Sequence, residues 1–244
     1  MQAPHTPLKE YYGAEADRPD WVRAIFSRTA ADYERIESTM ALGSGSWYRQ
    51  RALRSCGLRP GMRTLDVGVG TGLVARAAAL IVGDPTLVTG VDPSPGMLAN
   101  AQVPTGVSLL TGSAEALPVP DGSVDFLSMG YALRHISDLT AAYAEFFRVL
   151  RPGGLLCVLE ITLPAGTLAR ALLKGYMRGV VPWLARGLAH HRDMPELMRY
   201  YWDTIEACVP PAIVMQGIRN AGFVDVSAQV ELGIFTAYRA RAPG

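Results

Sequence analysis

The chain has 244 residues, 49% of them hydrophobic and only 18% charged, which is ample material for a core and excludes intrinsic disorder. Lys+Arg 23 against Asp+Glu 22 leave a formal charge of +1, too little for a global field that would gather nucleic acid. No run approaches the roughly 18 consecutive apolar residues of a spanning helix, and Cys56, Cys157 and Cys208 form neither a CxxC pair nor an even set, so no disulfide framework or zinc site is expected.

Residues 1–20 mix Pro, Tyr and charges of both signs without an apolar stretch, which reads as a polar lead-in, no secretory leader and a cytoplasmic setting. Residues 21–60 read as helical, with Trp21, Ile25, Phe26 and Tyr33 near helical spacing, and Pro60-Gly61 turns the chain. Thr64–Val67 is a first strand stopping at Gly68, and alanine-rich Leu73–Val82 a helix. Leu87–Val91 is a second strand ending at Asp92, followed by a short helix Met97–Gln102, a third strand Val107–Leu110 and a fourth, Val124–Met129. A helix Leu139–Leu150 leads through a tight turn, Arg151–Gly154, into a fifth strand Leu155–Ile161. Apolar strands alternating with helices predict a parallel sheet.

The alternation breaks at 162–210, a mostly helical insertion, and resumes with a helix Ile213–Ala221. Strands near Phe223–Val230 and Gly233–Arg239 are joined so closely that they must pair antiparallel. The fold expected is α/β: a Rossmann-like doubly wound sheet, mostly parallel with a C-terminal antiparallel strand, plus a helical N-terminal region and a helical lid. Its parts are a cap (1–60), a cofactor-binding core (61–161), the lid insertion (162–210) and a closing helix and hairpin (211–244).

Asp66-Val-Gly-Val-Gly-Thr-Gly72 lies between the first strand and a helix, where glycines allow close backbone approach and the helix start offers free N–H groups. The spacing departs from the GxGxxG dinucleotide fingerprint, and Asp66 would sit badly beside a pyrophosphate. An acid there suits a cationic ligand, such as the ammonium and sulfonium of S-adenosylmethionine. Asp92, 24 residues after Gly68, stands where a carboxylate can accept ribose hydroxyls. The plainer alternative is a structural glycine turn and a helix-capping Asp before Pro93.

Leu65–Gly72, Gly90-Val-Asp-Pro-Ser94 and Arg148-Val-Leu-Arg-Pro-Gly-Gly154 resemble class I S-adenosylmethionine-dependent methyltransferases. More narrowly, Ala114–Asp125, the run from Arg148 to Leu159-Glu160-Ile-Thr162, and Tyr200–Ile205 with Ala221-Gly-Phe223 are similar to the quinone-pathway C-methyltransferases that make ubiquinone and menaquinone. The resemblance covers about residues 25–240. It implies that Gly68, Gly70, Thr71 and Gly72 hold the methionine end, that Asp92 with Pro93 holds the ribose, and that Ser113 and Ala114 border the adenine. Gly130 matches a cofactor-contacting Ser of the family.

By the same resemblance, Arg134 of Leu133-Arg134-His135 is the family's arginine near the acceptor proton, with His135 in place of Asn. A guanidinium stays charged and suits a phenolate; the alternative is that Arg134 is an ordinary ion-pair partner. His135, titrating near neutrality, could take the proton directly, or could be a satisfied histidine that caps a carbonyl. Glu160 ends an apolar strand, so it is either used or paired with an arginine. Tyr33 matches a family tyrosine at the entrance helix or is a core tyrosine, while Tyr200 and Tyr201 read as packing residues. His190 and His191 are adjacent and cannot share a helix face as metal ligands, so no metal site is expected.

The sequence departs from the family's pattern after Tyr33, where Glu-Arg-Ile-Glu37 follows, at Gly45 and Tyr48, and at Val209-Pro210. Between Glu160 and Asp193 there is no acidic residue, while Arg170, Lys174, Arg178, Arg186 and Arg192 are basic. Arg170, Lys174 and Arg178 form a stripe beside Leu168, Leu172, Leu173, Met177 and Val181, and Pro182 should kink or end the helix. The segment 163–189 reads as a lid resting on an anionic membrane and admitting a lipophilic substrate; packing on its own domain or a homodimer interface are the alternatives.

Three readings follow: a methyltransferase acting on a ring carbon of a prenylated quinol, one acting on O, N or C of another hydrophobic aromatic compound, and a silent S-adenosylmethionine-binding partner protein.

Overall fold

The computed structural model describes residues 2–40 and 45–244; the part of the expected 21–60 helical region at 41–44 lies outside them. The chain begins with a single turn, α1 (Lys9–Tyr12), then α2 (Arg18–Met40) and α3 (Gly45–Ser55). β1 (Thr64–Val67), α4 (Leu73–Val82), β2 (Val88–Asp92), α5 (Pro95–Ala99), β3 (Ser108–Thr111), β4 (Val124–Gly130), α6 (Leu139–Val149) and β5 (Leu150–Ile161) follow in alternation. The insertion holds α7 (Thr167–Gly175), a π-helical turn Tyr176–Val180, α8 (Val181–Leu188) and α9 (Met194–Ala207), and the chain closes with α10 (Pro211–Asn220), β6 (Val224–Glu231) and β7 (Phe235–Arg241).

The seven strands are ordered β3-β2-β1-β4-β5-β7-β6, all parallel except β7, which runs antiparallel to both neighbours. The order reverses between β1 and β4, where an open α/β sheet has its crevice. Register fixes the rest: Val67 pairs with both Val91 and Met129, so Gly68, Asp92 and Gly130 emerge together at the same sheet end. β1 is buried at every position, as a central parallel strand covered by helices on both faces must be. Two core clusters fill the two faces, one built on α6 and α10, the other on α3 and α4. A third, with Ile25, Met177, Leu197 and Trp202, joins α2 to the insertion.

Three details differ from the sequence expectation. β5 begins at Leu150, earlier than expected, because Gly153 N–H and Gly154 C=O bond to Ala242; the expected turn persists within it as a bulge, with Gly153 at φ 78° and the β4 register shifting between Val124 and Phe126. The lead-in is packed rather than loose: Gln2 C=O accepts from Leu139 N–H, Pro4 C=O from Val209 N–H, and Tyr12 is buried. Pro182 does not end the helical run: after the π turn it falls in the first turn of α8, where its missing N–H costs nothing. No helix among the described residues is long and apolar enough to cross a membrane.

Candidate active site

One cavity of about 430 Å³ opens over the sheet end where β1, β2 and β4 stop. Its first compartment is formed by the loop after β1. Gly68, Gly70 and Gly72 all have positive φ (68°, 55° and 96°), the region in which glycine is favoured. A Cβ at Gly68 would stand 2.7 Å from Ala132 Cβ and one at Gly72 2.5 Å from Val103 Cγ1, whereas Gly70 meets nothing within 4 Å. Gly68 and Gly72 thus serve close packing, and Gly70 faces open space. Gly72 is not among the cavity-lining residues, which corrects its expected contact role: it is the N-cap of α4.

Asp92 lines the cavity with Pro93, Ser113, Ala114 and Gly130. Its Oδ2 accepts from Gly70 N–H (2.8 Å) and its Oδ1 from Ser94 N–H (2.8 Å). Each oxygen keeps a lone pair for a ligand hydroxyl. Burial pushes this carboxyl up to about 6, against the pull of the two N–H groups. Thr71 also lines the cavity, and its Oγ1 is buried with no hydrogen-bond partner among the described residues. At Gly130 a Cβ would stand 2.5 Å from Val74 Cγ2, so the place of the family's serine is taken by the valine.

Asp66 does not line the cavity, a correction to its expected place beside an ammonium. It lies at the base of the loop, where its Oδ1 accepts from Ser128 Oγ (2.7 Å), and burial pushes it up to about 7.

The second compartment is aromatic and apolar, lined by Phe26, Tyr33, Tyr131, Tyr201, Trp202 and Phe235, with Leu173, Tyr176 and Met177 from the lid. Burial holds the Tyr33 phenol protonated, with the pKa raised. Tyr131 enters from the end of β4 with φ 60°, a strained position for a bulky side chain, fixed by its N–H bond to Leu159 C=O (2.7 Å).

Arg134 is a correction. It belongs to the turn Leu133–His135, is 0% exposed and does not line the cavity. Its Nη1 donates to Glu160 Oε1, its Nε to Thr204 Oγ1 (3.1 Å), and Tyr201 covers its Cζ at 4.0 Å from the ring centroid. Arg134 and Glu160 therefore find each other, and a cavity-lining tyrosine stands over the guanidinium.

His135 does line the cavity, but it does not titrate near neutrality. Burial, then the charges of Arg134, Arg18 and His5, hold it well below the usual imidazole range. It stacks on Tyr200, 5.4 Å between centroids, and is a neutral hydrogen-bonding group rather than a proton store.

Sequence reasoning missed Arg49 and the facing role of Tyr201. Arg49, on α3, lines the cavity, donates from Nη2 to Glu37 of α2 and stands over the Tyr131 ring, 5.7 Å from Cζ to centroid. The only sequence signal was α3 itself, with three arginines and no acid. On the lid, Lys174 pairs with Glu206 (2.6 Å), Arg178 lies 3.7 Å from Asp203, and Arg170 Nε donates to Pro164 C=O. The expected basic stripe is thus partly tied to α9, while Leu168 (73% exposed), Leu172 (67%) and Trp183 (69%) face out.

The first compartment suits S-adenosylmethionine: a carboxylate with spare lone pairs, a buried unmet hydroxyl and a glycine opening into the space. Comparison with known proteins agrees. The model of the ubiE/COQ5 methyltransferase family matches residues 13–240. The chain is 31% identical over 225 residues to the ubiquinone/menaquinone biosynthesis C-methyltransferase UbiE of Shewanella halifaxensis, covering 89% of this chain and 88% of that one. It is 31% identical over 249 residues to a demethylmenaquinone methyltransferase of a Parafrankia species, covering 93% and 96%. In fold it is similar to a SAM-dependent methyltransferase of Thermotoga maritima (TM-score 0.61, 24% identity, 90% of this chain and 98% of that one). It is similar too to the Haemonchus contortus phosphoethanolamine N-methyltransferase 2 solved with S-adenosyl-L-methionine (TM-score 0.61, 17% identity, 100% and 61%). A match that runs from the N-terminal helices through the glycine loop to the closing hairpin leaves one assignment: the chain belongs to the ubiE/COQ5 methyltransferase family and is an S-adenosylmethionine-dependent methyltransferase.

Proposed function

We propose that this methyltransferase adds a methyl group to a ring carbon of a prenylated quinol-type acceptor. The observation that carries the reading is the aromatic compartment of Phe26, Tyr33, Tyr131, Tyr201, Trp202 and Phe235, continuous with the glycine loop in one cavity. The names of the relatives, which specify ubiquinone, menaquinone and demethylmenaquinone chemistry, support it.

S-adenosylmethionine would supply a methyl group on a sulfonium: the ring C–CH3 bond forms as the S–CH3 bond breaks, the displaced ring proton leaves to water, and the protein chiefly positions the two reactants. Gly68, Gly70 and Thr71 hold the methionine end, Asp92 accepts the ribose hydroxyls, and Ser113 and Ala114 border the adenine. Tyr33, kept protonated by burial, donates a hydrogen bond to the acceptor's oxygen. His135 stays neutral and serves as a hydrogen-bonding wall. Arg134 and Glu160 act on the acceptor only through Tyr201.

The lid delivers the acceptor from an anionic lipid surface. Its inner side lines the cavity through Leu173, Tyr176 and Met177, while Leu168, Leu172 and Trp183 face outward in a segment without acidic residues. Flotation with anionic and neutral liposomes tests this: binding only to anionic vesicles, weakened by Trp183→Ser, is expected, and binding indifferent to lipid charge refutes it.

Labelled-methyl transfer to a panel of quinols and phenols, with NMR of the product, tests the reaction. A new ring C–CH3 signal is expected; a product methylated only on O or N overturns the reading.

A further inference from the structure

Glu37, Gly45 and Tyr48, three of the N-terminal positions where the sequence leaves the family's pattern, line the cavity together with Arg49. Glu37 and Arg49 form an ion pair whose side chains are 18% and 4% exposed. Gly45 leaves room for the pair in this position: a Cβ there would stand 2.8 Å from Arg49 Nη1 and 3.0 Å from Glu37 Oε1, so the two side chains would have to shift. Arg49 Nε and Tyr48 Oη remain buried with no hydrogen-bond partner among the described residues.

A buried ion pair is a poor stabilising device, since removing both charges from water offsets their attraction. Leaving a guanidinium N–H unmet adds a further penalty. Such an arrangement is explained when a ligand completes it. The pair carries no net charge, so a carboxylate or phosphate ligand would meet Glu37 as well as Arg49. A hydrocarbon would leave the Nε–H unmet. A neutral hydroxyl does both jobs, accepting from the guanidinium, which has only donors, and donating to the carboxylate, which has only acceptors. The Tyr131 ring below Arg49 supplies a face beside which an aromatic ring can lie.

We infer that Glu37 and Arg49, with Gly45 making room, form a recognition subsite for a neutral hydroxyl on the acceptor's aromatic ring. The inference deepens the proposed quinol reading and rests on it for the aromatic nature of the acceptor. It assigns the two residues a positioning role, not a share in bond making.

The test is a binding measurement, so that it stands apart from the transfer assay. 1-Naphthol and 1-methoxynaphthalene are titrated calorimetrically into protein saturated with S-adenosylhomocysteine. One hydrogen bond to a charged pair corresponds to a preference for the naphthol of about 10- to 100-fold. Arg49→Met should reduce that preference to about threefold or less, and so should Gly45→Ala, whose new methyl must displace the pair. Affinity for S-adenosylhomocysteine should stay within about twofold in both variants, the readout that separates a subsite from general damage. Where Arg49→Met does not fold, Gly45→Ala and Glu37→Gln carry the test. A wild type that binds both compounds alike, or a folded variant that keeps the full preference, overturns the inference. Failure of ring methylation in the transfer assay would sink the proposed reaction and leave this hydroxyl preference measurable.

Discussion

The sharpest test of the site concerns Arg134, because sequence and structure assign it different work. If its guanidinium faced the acceptor, removing it would withdraw a donor from a developing oxyanion and lower kcat by about 10²–10³-fold. The structure instead buries it against Glu160, with the two side chains 0% and 1% exposed and neither lining the cavity. Glu160→Gln then leaves an uncompensated buried charge and costs about 3–5 kcal/mol. For 244 residues the unfolding entropy is about 0.5 kcal/mol per kelvin, so the midpoint should fall by about 6–10 °C. The informative variant removes both charges, Arg134→Met with Glu160→Leu. It leaves Thr204 Oγ1 with its bond to Tyr201 C=O (2.9 Å) and should lie within about 2 kcal/mol of wild type. Because the Met side chain can still support the Tyr201 ring, kcat at 20 °C should stay within about tenfold of wild type. Thermal unfolding by circular dichroism and labelled-methyl transfer read the two quantities. A double variant that folds and binds S-adenosylmethionine normally, yet loses 100-fold or more in kcat, would refute the structural reading and restore Arg134 to the acceptor.

Asp92, pushed up to about 6 by burial, is about one-tenth ionised at pH 5, so calorimetric affinity for S-adenosylmethionine should fall about tenfold between pH 7 and pH 5; a flat profile contradicts its ribose role. Asp66, raised by burial to about 7 from 3.8, makes the native chain bind its proton more tightly than the unfolded chain does. Its contribution is therefore full, about 4 kcal/mol, below about pH 3.8 and is lost as pH rises through about 7; about 2.6 kcal/mol of it falls between pH 5 and pH 8, the difference that Asp66→Asn should remove from urea unfolding curves compared at those two values. Gly130→Ser restores the family's residue but sets a Cβ 2.5 Å from Val74 Cγ2, which should cost about 1–3 kcal/mol in thermal unfolding and be relieved by Val74→Ala.

What the sequence discloses follows from the range of the interactions involved. The glycine loop and Asp92 are local features, a strand end, a turn and a helix start within a few residues, and the cavity is built on them. The sheet was legible because parallel strands buried on both faces must be apolar throughout. The sequence left Arg134 open between acceptor and ion pair because its fate depends on Glu160, 26 residues away at the end of β5, and on a tyrosine supplied by the insertion. A motif states which residue is present, not which neighbour neutralises it. Glu37 and Arg49 left even less trace, since they meet from two different helices and obey no period within either one. The departures around them were visible; that they converge on one pair required the fold.

That convergence bears on how a cationic cofactor and a neutral acceptor share one cavity. A sulfonium carries its own positive charge, and a bare guanidinium nearby would disfavour its binding by Coulomb repulsion. Each cation around the cavity is answered: Arg134 by Glu160, Arg49 by Glu37, and Arg23, at the rim, by Asp20. The two deep guanidinia are further covered by the rings of Tyr201 and Tyr131, whose electron-rich faces attract cations. His135 is held neutral first by burial and then by the charges of Arg134, Arg18 and His5. What remains unanswered is negative: Asp92, beside the glycine loop, and Glu115 line the cavity with only neutral N–H partners. The cavity is thus biased toward a positively charged ligand at the end of β2 and left electrically quiet in its aromatic half. That division matches a reaction in which charge leaves with the methyl group and the acceptor must enter uncharged.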